Sequence, residues 1–168
     1  HCNMIYQQRL FLLPLACLML SGLLLGCAGP LVRTDLQTFQ QHPEQFKGKQ
    51  VVITASLEEI YTHRDAYSGK KVEITGTVTR KGFWGPPDWD FFLTDNQGRT
   101  LRCYERTYRV DAWIIPVMAI KRAERENSTV TVVGKLEQDL DIELDWFEYQ
   151  GQHYDTDHLP ASVPLPFM

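Results

Sequence analysis

Hydrophobic and polar positions alternate with a period of two in five separate segments between residues 70 and 149. Such alternation is typical of β-strands in a sheet that buries one face. Gly76 falls within the first segment, where a strand bends or bulges, and Asp95-Asn96-Gln97-Gly98 has the composition of a turn. The predicted inward positions are Val72, Ile74 and Val78, then Phe91 and Leu93, then Leu101 and Cys103, then Val130, Val132 and Leu136, and finally Ile142, Leu144 and Trp146.

Residues 110–126 lie between the third and fourth segments and have a helical pattern instead. Pro116 is placed to open this helix, because proline fits the first helical position. Val117 and Ile120 then share one side of it. Trp113, just before the helix, is predicted to be a core residue. The order is therefore three strands, one helix and two strands.

This order resembles the oligonucleotide/oligosaccharide-binding (OB) fold, in particular the small bacterial OB modules of the periplasmic stress-induced type and the tRNA-anticodon-like domains of uncharacterised lipoproteins. The resemblance depends on the strand rhythm, on ITGTV in the first strand, on the DNQG turn and on VVGKL after the helix. It implies a mainly β (α+β) fold, a five-stranded Greek-key barrel with a helix between strands 3 and 4. We expect this OB-like domain to span residues 56–152, with a polar and proline-rich tail at 153–168.

Residues 36–55 and 57–76 repeat each other at an offset of 21. Each copy begins with a capping-box spacing, Thr34 with Gln37 and Ser56 with Glu59, which predicts a short helix followed by a strand. The first copy is expected to be an α–β extension packed on the barrel. The matched residues are Leu36/Leu57, His42/His63, Gly48/Gly69, Lys49/Lys70, Val51/Val72, Ile53/Ile74 and Thr54/Thr75.

Residues 1–26 have the order of an export signal: a polar start with Arg9, an apolar run, and then a small residue before Cys27. The run is too short and too sharply ended for a transmembrane helix. Leu24-Leu25-Gly26-Cys27 resembles the lipobox of bacterial lipoproteins, which implies a lipid (palmitate-type acylation) on Cys27 and a membrane anchor for the linker and extension at 27–55. Ala28 resembles the outer-membrane sorting pattern, facing the periplasm. The alternative is an uncleaved anchor helix with a buried Cys27.

Charge is distributed unevenly along the chain, whose net charge is −4. Residues 69–125 carry eleven Lys and Arg against seven Asp and Glu, whereas residues 126–168 carry one against nine. Nucleic-acid binders of this fold combine a basic groove with aromatic side chains. Phe92, Arg102 and Tyr104 on the outward side of strands two and three fit that description. The basic residues that interleave with the aromatic side chains of this predicted binding face are Arg80, Lys81, Arg99, Arg102 and Arg106. The acidic fifth strand beside them disfavours a polyanion.

The segment from residue 82 to residue 90 concentrates aromatic side chains on a loop stiffened by two adjacent prolines. Phe83, Trp84 and Trp89 are costly to expose unless they are covered or bind a ligand. Two interpretations stay open: a cap over the mouth of the barrel, or a recognition surface for a glycan, a peptide or an envelope protein.

Motifs of known catalytic sites are not found in the sequence. We predict neither enzymatic activity nor a cofactor. Cys103 is expected to be a small core residue. The paired His42 and His63 are expected at the surface, and the cluster at residues 153–158 is interpreted as a polar tail rather than a metal site. The sequence therefore predicts a binding or scaffolding module of the bacterial cell envelope, with a nucleic-acid-binding protein as the alternative and a metal-assisted hydrolase third.

Overall fold

The structure is a computed structural model that describes residues 29–79, 90–105 and 114–155. Phe83, Trp84, Trp89, Trp113 and Cys27 lie outside these ranges. The strands are β1 (Leu31–Thr34), β2 (Gln50–Thr54), β3 (Lys71–Thr79), β4 (Asp90–Thr94), β5 (Thr100–Tyr104), β6 (Thr129–Leu136), β7 (Asp141–Tyr149) and β8 (Gln152–Asp155). The helices are α1 (Leu36–Gln41), a 3₁₀ turn (Pro43–Phe46), α2 (Leu57–Thr62), α3 (Arg64–Tyr67) and α4 (Ile114–Arg125).

Five of the strands close into a barrel in the order β3-β4-β5-β7-β6, with β6 pairing back onto β3. All neighbours are antiparallel except β5 and β7, which are parallel. The helix α4 connects β5 to β6. A mainly β fold with a closed five-stranded barrel is therefore confirmed, and it is consistent with an OB-like fold.

The barrel encloses the hydrophobic core, and the predicted alternation places most of its residues correctly. Residues of β3, β4, β5 and β6 predicted to point inward are buried, among them Ile74, Leu93 and Leu101. Ile120 and Ala123 of α4 join the core and are fully buried. Helix α4 begins two residues before Pro116, which therefore lies in its first turn, where a missing backbone N–H is tolerated.

The pairing of β6 with β7 contains a bulge between Val133 and Gly134. Gly134 fits there because it has no side chain: a Cβ at this position would lie 2.3 Å from the backbone oxygen of Glu143. Bulges bend a strand and increase its twist, which helps a five-stranded sheet to close.

The bulge also corrects the prediction for the last barrel strand. The sequence pattern placed Trp146 inside and Phe147 outside. In the structure Phe147 is fully buried in the core, whereas Trp146 pairs with Val133 on the outer face. The prediction was wrong because one extra residue in a strand reverses the alternation beyond it.

Three further strands extend the sheet beyond the barrel, two beside β3 and one beside β7. The strands β1 and β2 add to β3 in parallel, and β8 adds to β7 in antiparallel orientation. Residues 153–155, which the sequence analysis assigned to a polar tail, thus belong to β8. Tyr154 stacks on Phe147 with ring centroids 4.8 Å apart, so apolar contacts hold this strand to the barrel.

The sequence repeat corresponds to two successive strand–helix–strand units, which lead from β1 to β2 and from β2 to β3. The capping box of Ser56 with Glu59 is confirmed. In the first copy the N-cap is Asp35, whose carboxylate accepts from the Thr38 N–H at 2.7 Å, and not Thr34 as predicted. Asp35 is the better cap because its carboxylate accepts hydrogen bonds from the free N–H groups at the helix start and its negative charge interacts favourably with the positive end of the helix dipole.

The first copy is less buried than the second. Leu57 and Ile60 of α2 are 2% and 0% exposed, whereas α1 contains no fully buried residue. The two copies together form an N-terminal extension of the sheet. Its second copy packs more closely on the barrel than its first copy, which is the predicted α–β extension. Within the described ranges, none of the helices has the length and apolar character needed to cross a bilayer.

We predict that Gly134→Ala destabilises the protein by about 3 kcal/mol, because the added methyl group has to displace the backbone of β7. Chemical denaturation with a spectroscopic probe measures this difference in the free energy of unfolding.

Gly98→Ala is the matched control. Its φ of +76° costs about 1 kcal/mol for a non-glycine residue, but nothing lies within 4 Å of its added Cβ. If the two variants lose equal stability, the close approach of the Glu143 backbone is not what excludes a side chain at position 134.

Candidate functional site

Three of the six predicted ligand-binding residues lie within the described ranges: Phe92 on β4, and Arg102 and Tyr104 on β5. The structure brings them together on the outward side of neighbouring strands, where each is partly exposed. Phe83, Trp84 and Trp89 precede Asp90, at the start of β4, and lie outside the described ranges. The predictions about these three aromatic residues stay open.

Strand pairing explains how the site is assembled. Phe92 lies opposite Arg102 across β4 and β5, and Arg102 lies opposite Asp141 across β5 and β7. In the next row Asp90 lies opposite Tyr104. Side chains directly opposite or diagonal on one face of a sheet are close enough to interact. We call Phe92, Arg102, Tyr104, Asp90 and Asp141 together the arginine–aspartate site.

Arg102 is the centre of this site and contacts three of its other members. Its Nε donates to Asp90 Oδ2 at 2.8 Å, and its Nη1 donates to Asp141 Oδ2 at 3.0 Å. Its Cζ also lies 5.5 Å from the centroid of the Tyr104 ring, within the range of a cation–π interaction. One guanidinium is thus shared by two carboxylates and an aromatic ring.

The two carboxylates change the electrostatics of the site. Burial lowers the pKa of Arg102, but its bonds to Asp90 and Asp141 outweigh this effect and the pKa is raised, so the side chain stays charged. Burial raises the pKa of Asp141, and the nearby Arg102 offsets this rise only in part. The ionised site therefore carries one positive and two negative charges, a net charge of −1.

A second arginine on this side of the barrel is paired in the same way. Arg99 donates to Asp95 at 2.6 Å and to Glu58 of α2 at 3.2 Å. Both basic residues of the predicted binding face that the structure describes are therefore bound to carboxylates. The other three (Arg80, Lys81 and Arg106) lie outside the described ranges.

These pairs determine which ligands the site favours. A phosphate within about 4 Å of a carboxylate is repelled by about 1 kcal/mol in water and about 4 kcal/mol at the surface of a protein. A phosphate that approaches Arg102 would also lie close to Asp90 or Asp141, because both carboxylates are hydrogen-bonded to the same guanidinium. The partly exposed rings and carboxylates suit neutral hydroxyl-bearing or cationic ligands, which stack on aromatic faces and donate hydrogen bonds.

The structure also contains a polar and aromatic cluster that the sequence analysis did not identify as a possible site. On the outer face of the extended sheet, Arg33 donates to Glu73 at 2.7 Å, and its Cζ lies 5.7 Å from the ring of Trp146. Trp146 in turn contacts His153 of β8, with ring centroids 4.7 Å apart. The assignment of Trp146 to the core concealed this cluster. Gly134, a glycine within a strand segment, is a local signal that could have indicated the bulge.

The remaining candidates for chemistry are located as follows. Cys103 is fully buried, and burial raises the pKa of its thiol, so the unreactive thiol is the favoured form. His42 and His63 are exposed and end α1 and α2, each donating its backbone N–H to the preceding turn. Among the described residues, three or more His, Cys, Asp or Glu side chains are nowhere arranged to hold a metal ion.

Comparison with known proteins gives little information about identity. No protein-family model matches the chain, and no curated protein does. Among solved structures, the chain is similar to the telomere capping protein Ten1 from Saccharomyces pombe, with a TM-score of 0.35 and 13% identity. That match covers 56% of this chain and 77% of Ten1. A likeness at this level carries no argument about function.

We predict that Arg102→Gln lowers the free energy of unfolding by about 1 kcal/mol at pH 7, because Asp90 and Asp141 lose their shared cation. Folding raises the pKa of Asp141, so its ionised form lowers the free energy of unfolding at neutral pH. This cost disappears as the pH falls and the carboxyl group becomes protonated. The loss in Arg102→Gln is therefore expected to shrink towards about pH 4, where aspartate protonates. Denaturant titrations at several pH values measure it.

Arg64→Gln is the matched control, since it removes one exposed arginine for which no ion pair is found in the described part of the chain. Its effect is expected to stay within about 0.5 kcal/mol at every pH. A loss in Arg102→Gln that does not change with pH would contradict the role of Arg102 as the partner of Asp141.

Proposed function

We propose that the protein is an exported, lipid-anchored module with an OB-like barrel, which binds a ligand or a partner protein in the bacterial cell envelope. The observation on which the binding role depends is the arginine–aspartate site, where two carboxylates and the Tyr104 ring contact a single guanidinium and Phe92 lies opposite it on the next strand. Neutral glycans and cationic or neutral peptides are the ligand classes that its charge favours. Binding rather than catalysis is proposed.

The envelope location is supported by the first part of the chain. The apolar run after Arg9 and the sequence Leu24-Leu25-Gly26-Cys27 resemble a lipoprotein signal. Cys27 also lies only four residues before Leu31, where β1 begins. An acylated Cys27 would hold this domain close to the membrane, and stable attachment needs two or more acyl chains. We place the anchor in the outer membrane facing the periplasm, because Ala28 follows the cysteine.

Nucleic-acid binding is the alternative for a barrel of this type. Binding of single strands without sequence preference needs a positively charged groove beside stacking aromatic rings. Phe92 and Tyr104 would provide the rings. Because Arg99 and Arg102 are each shared between two carboxylates, the described part of this face does not provide the positive charge.

We expect Cys27 to be the site of lipid attachment. Cells that express the wild-type chain and are fed a fatty-acid analogue should incorporate the label into the protein, whereas Cys27→Ala should lose it. Cys103→Ala is the control, because this cysteine is buried in the barrel and should leave the labelling unchanged. An unlabelled wild-type protein in the cytosol would end the proposal of a lipoprotein.

The ligand class can be tested with three fluorescent probes: a neutral oligosaccharide, a cationic peptide and a single-stranded oligonucleotide. We expect binding to the first or second probe but not to the third. Tyr104→Ala and Phe92→Ala should each weaken that binding by about 1–3 kcal/mol, the size of a lost stacking contact.

Met118→Ala is the matched control, since Met118 is an exposed hydrophobic residue on α4, outside the site. Binding of the oligonucleotide alone, weakened by both aromatic substitutions, would favour the nucleic-acid alternative. Unchanged affinity in Tyr104→Ala and Phe92→Ala for every probe would show that the arginine–aspartate site is not the binding surface.

A further inference from the structure

The starts of β1, β2 and β3 lie together at one end of the sheet, because the three strands are parallel. Leu31 lies opposite Gln50 across β1 and β2, and Ile53 lies opposite Val72 across β2 and β3. Strand β6 ends here as well, where the N–H of Gly69 donates to the carbonyl of Leu136 at 2.8 Å. We call this end of the sheet the proximal end.

The proximal end is also where the chain enters the domain. Strand β1 begins at Leu31, four residues after Cys27. Four residues span at most about 14 Å even when fully extended. If Cys27 carries a lipid, as the proposed function requires, the proximal end is held within about 14 Å of the level at which the lipid attaches. The anchor would therefore keep this end near the membrane, without deciding which residues touch it.

The residues exposed at the proximal end suit such a surface. Leu31 is 43% exposed, so an apolar side chain faces the solvent at this end. Lys47 and Lys49 belong to the turn that leads into β2, beside Leu31, and both are exposed. Neither lysine forms an ion pair in the described part of the chain, whereas Arg33, Arg99 and Arg102 are paired.

We propose that Leu31, Lys47 and Lys49 form a surface that contacts anionic phospholipid, so that the proximal end of the domain rests on the membrane. Lysine side chains near an anionic bilayer are attracted to it electrostatically. An exposed leucine beside them can enter the interfacial region. This inference rests on the proposed lipid anchor at Cys27, and it adds the orientation of the domain, which the anchor alone does not determine.

The opposite end of the barrel provides the comparison for a test. Helix α4 leads into β6 at Thr129, which lies opposite Thr77. Thr77 is six residues from Lys71, which is roughly 20 Å along β3. Met118 on α4 is 50% exposed. It is therefore as accessible as Leu31 but belongs to a helix that joins the sheet far from its proximal end.

The experiment uses the full chain, purified in its lipidated form and reconstituted into vesicles. Leu31→Cys and Met118→Cys each receive an environment-sensitive fluorophore, while the buried Cys103 is protected from labelling. Lipids with a quencher in the headgroup report contact with the membrane. We expect quenching at residue 31 and not at residue 118 in vesicles that contain phosphatidylglycerol.

The charge dependence of the quenching tests the role of the two lysines. The replacement of phosphatidylglycerol by phosphatidylcholine should lower the ratio of contacting to free orientations by about fivefold for each lysine, and Lys47→Glu with Lys49→Glu by at least that factor, because charge reversal adds repulsion. The matched control is Lys121→Glu with Arg125→Glu on α4, which changes the net charge equally and should leave quenching at residue 31 unchanged. Circular dichroism confirms that each variant is folded.

The outcomes distinguish this inference from the proposed function. If the same sample incorporates a fatty-acid analogue but residues 31 and 118 are quenched equally, the lipid anchor stands and the proposed orientation is wrong. If quenching at residue 31 persists in the double lysine variant, electrostatic contact with the membrane is excluded. If no fatty-acid label is incorporated, both the anchor and the orientation are rejected.

Discussion

The pairing of β3 with β6 is the interaction on which the rest of the structure depends. It runs without interruption from Lys71 opposite Lys135 to Thr77 opposite Thr129, and it closes the barrel by joining the first barrel strand to the fourth. The other edge of β3 pairs first with β2 and later with β4. One strand therefore belongs both to the barrel and to the N-terminal extension, and loss of its pairing with β6 would open both.

Closure also determines the charge of the outer surface. It places the acidic strand β7 beside β5, so that Asp141 reaches Arg102 from 39 residues away in the chain. In a sheet that left β5 as an edge, Arg102 would keep only Asp90 as a partner. In the described part of this face, the barrel thus pairs the basic side chains with carboxylates, and the proposal of a neutral or cationic ligand rests on these pairs.

The extension gives the domain a second surface with a different character. Its two repeated units lengthen the sheet on one side of β3 and bring Arg33 to Trp146 on the outer face. The same units place the entry of the chain beside Lys47 and Lys49. The proposed ligand site on β4 and β5 and the proposed membrane-contacting proximal end lie on different strands, on the two sides of β3.

The sequence by itself determined the features that depend on neighbouring residues. Period-two alternation identified four of the five barrel strands with the correct face inward, and local hydrogen-bonding chemistry identified the capping box of Ser56 and the turn at Asp95. The burial of Cys103 also followed from this alternation.

Only the tertiary structure decided the rest. The bulge at Gly134 turns Trp146 outward, because the extra residue reverses the alternation along β7. Its position depends on how β6 and β7 pair, which alternation along β7 alone does not show. The short strands β1 and β8 exist because neighbouring strands supply their hydrogen bonds. The partners of Arg102 were hidden for the same reason: alternation shows which way a side chain points, but only strand pairing decides which distant residue it meets.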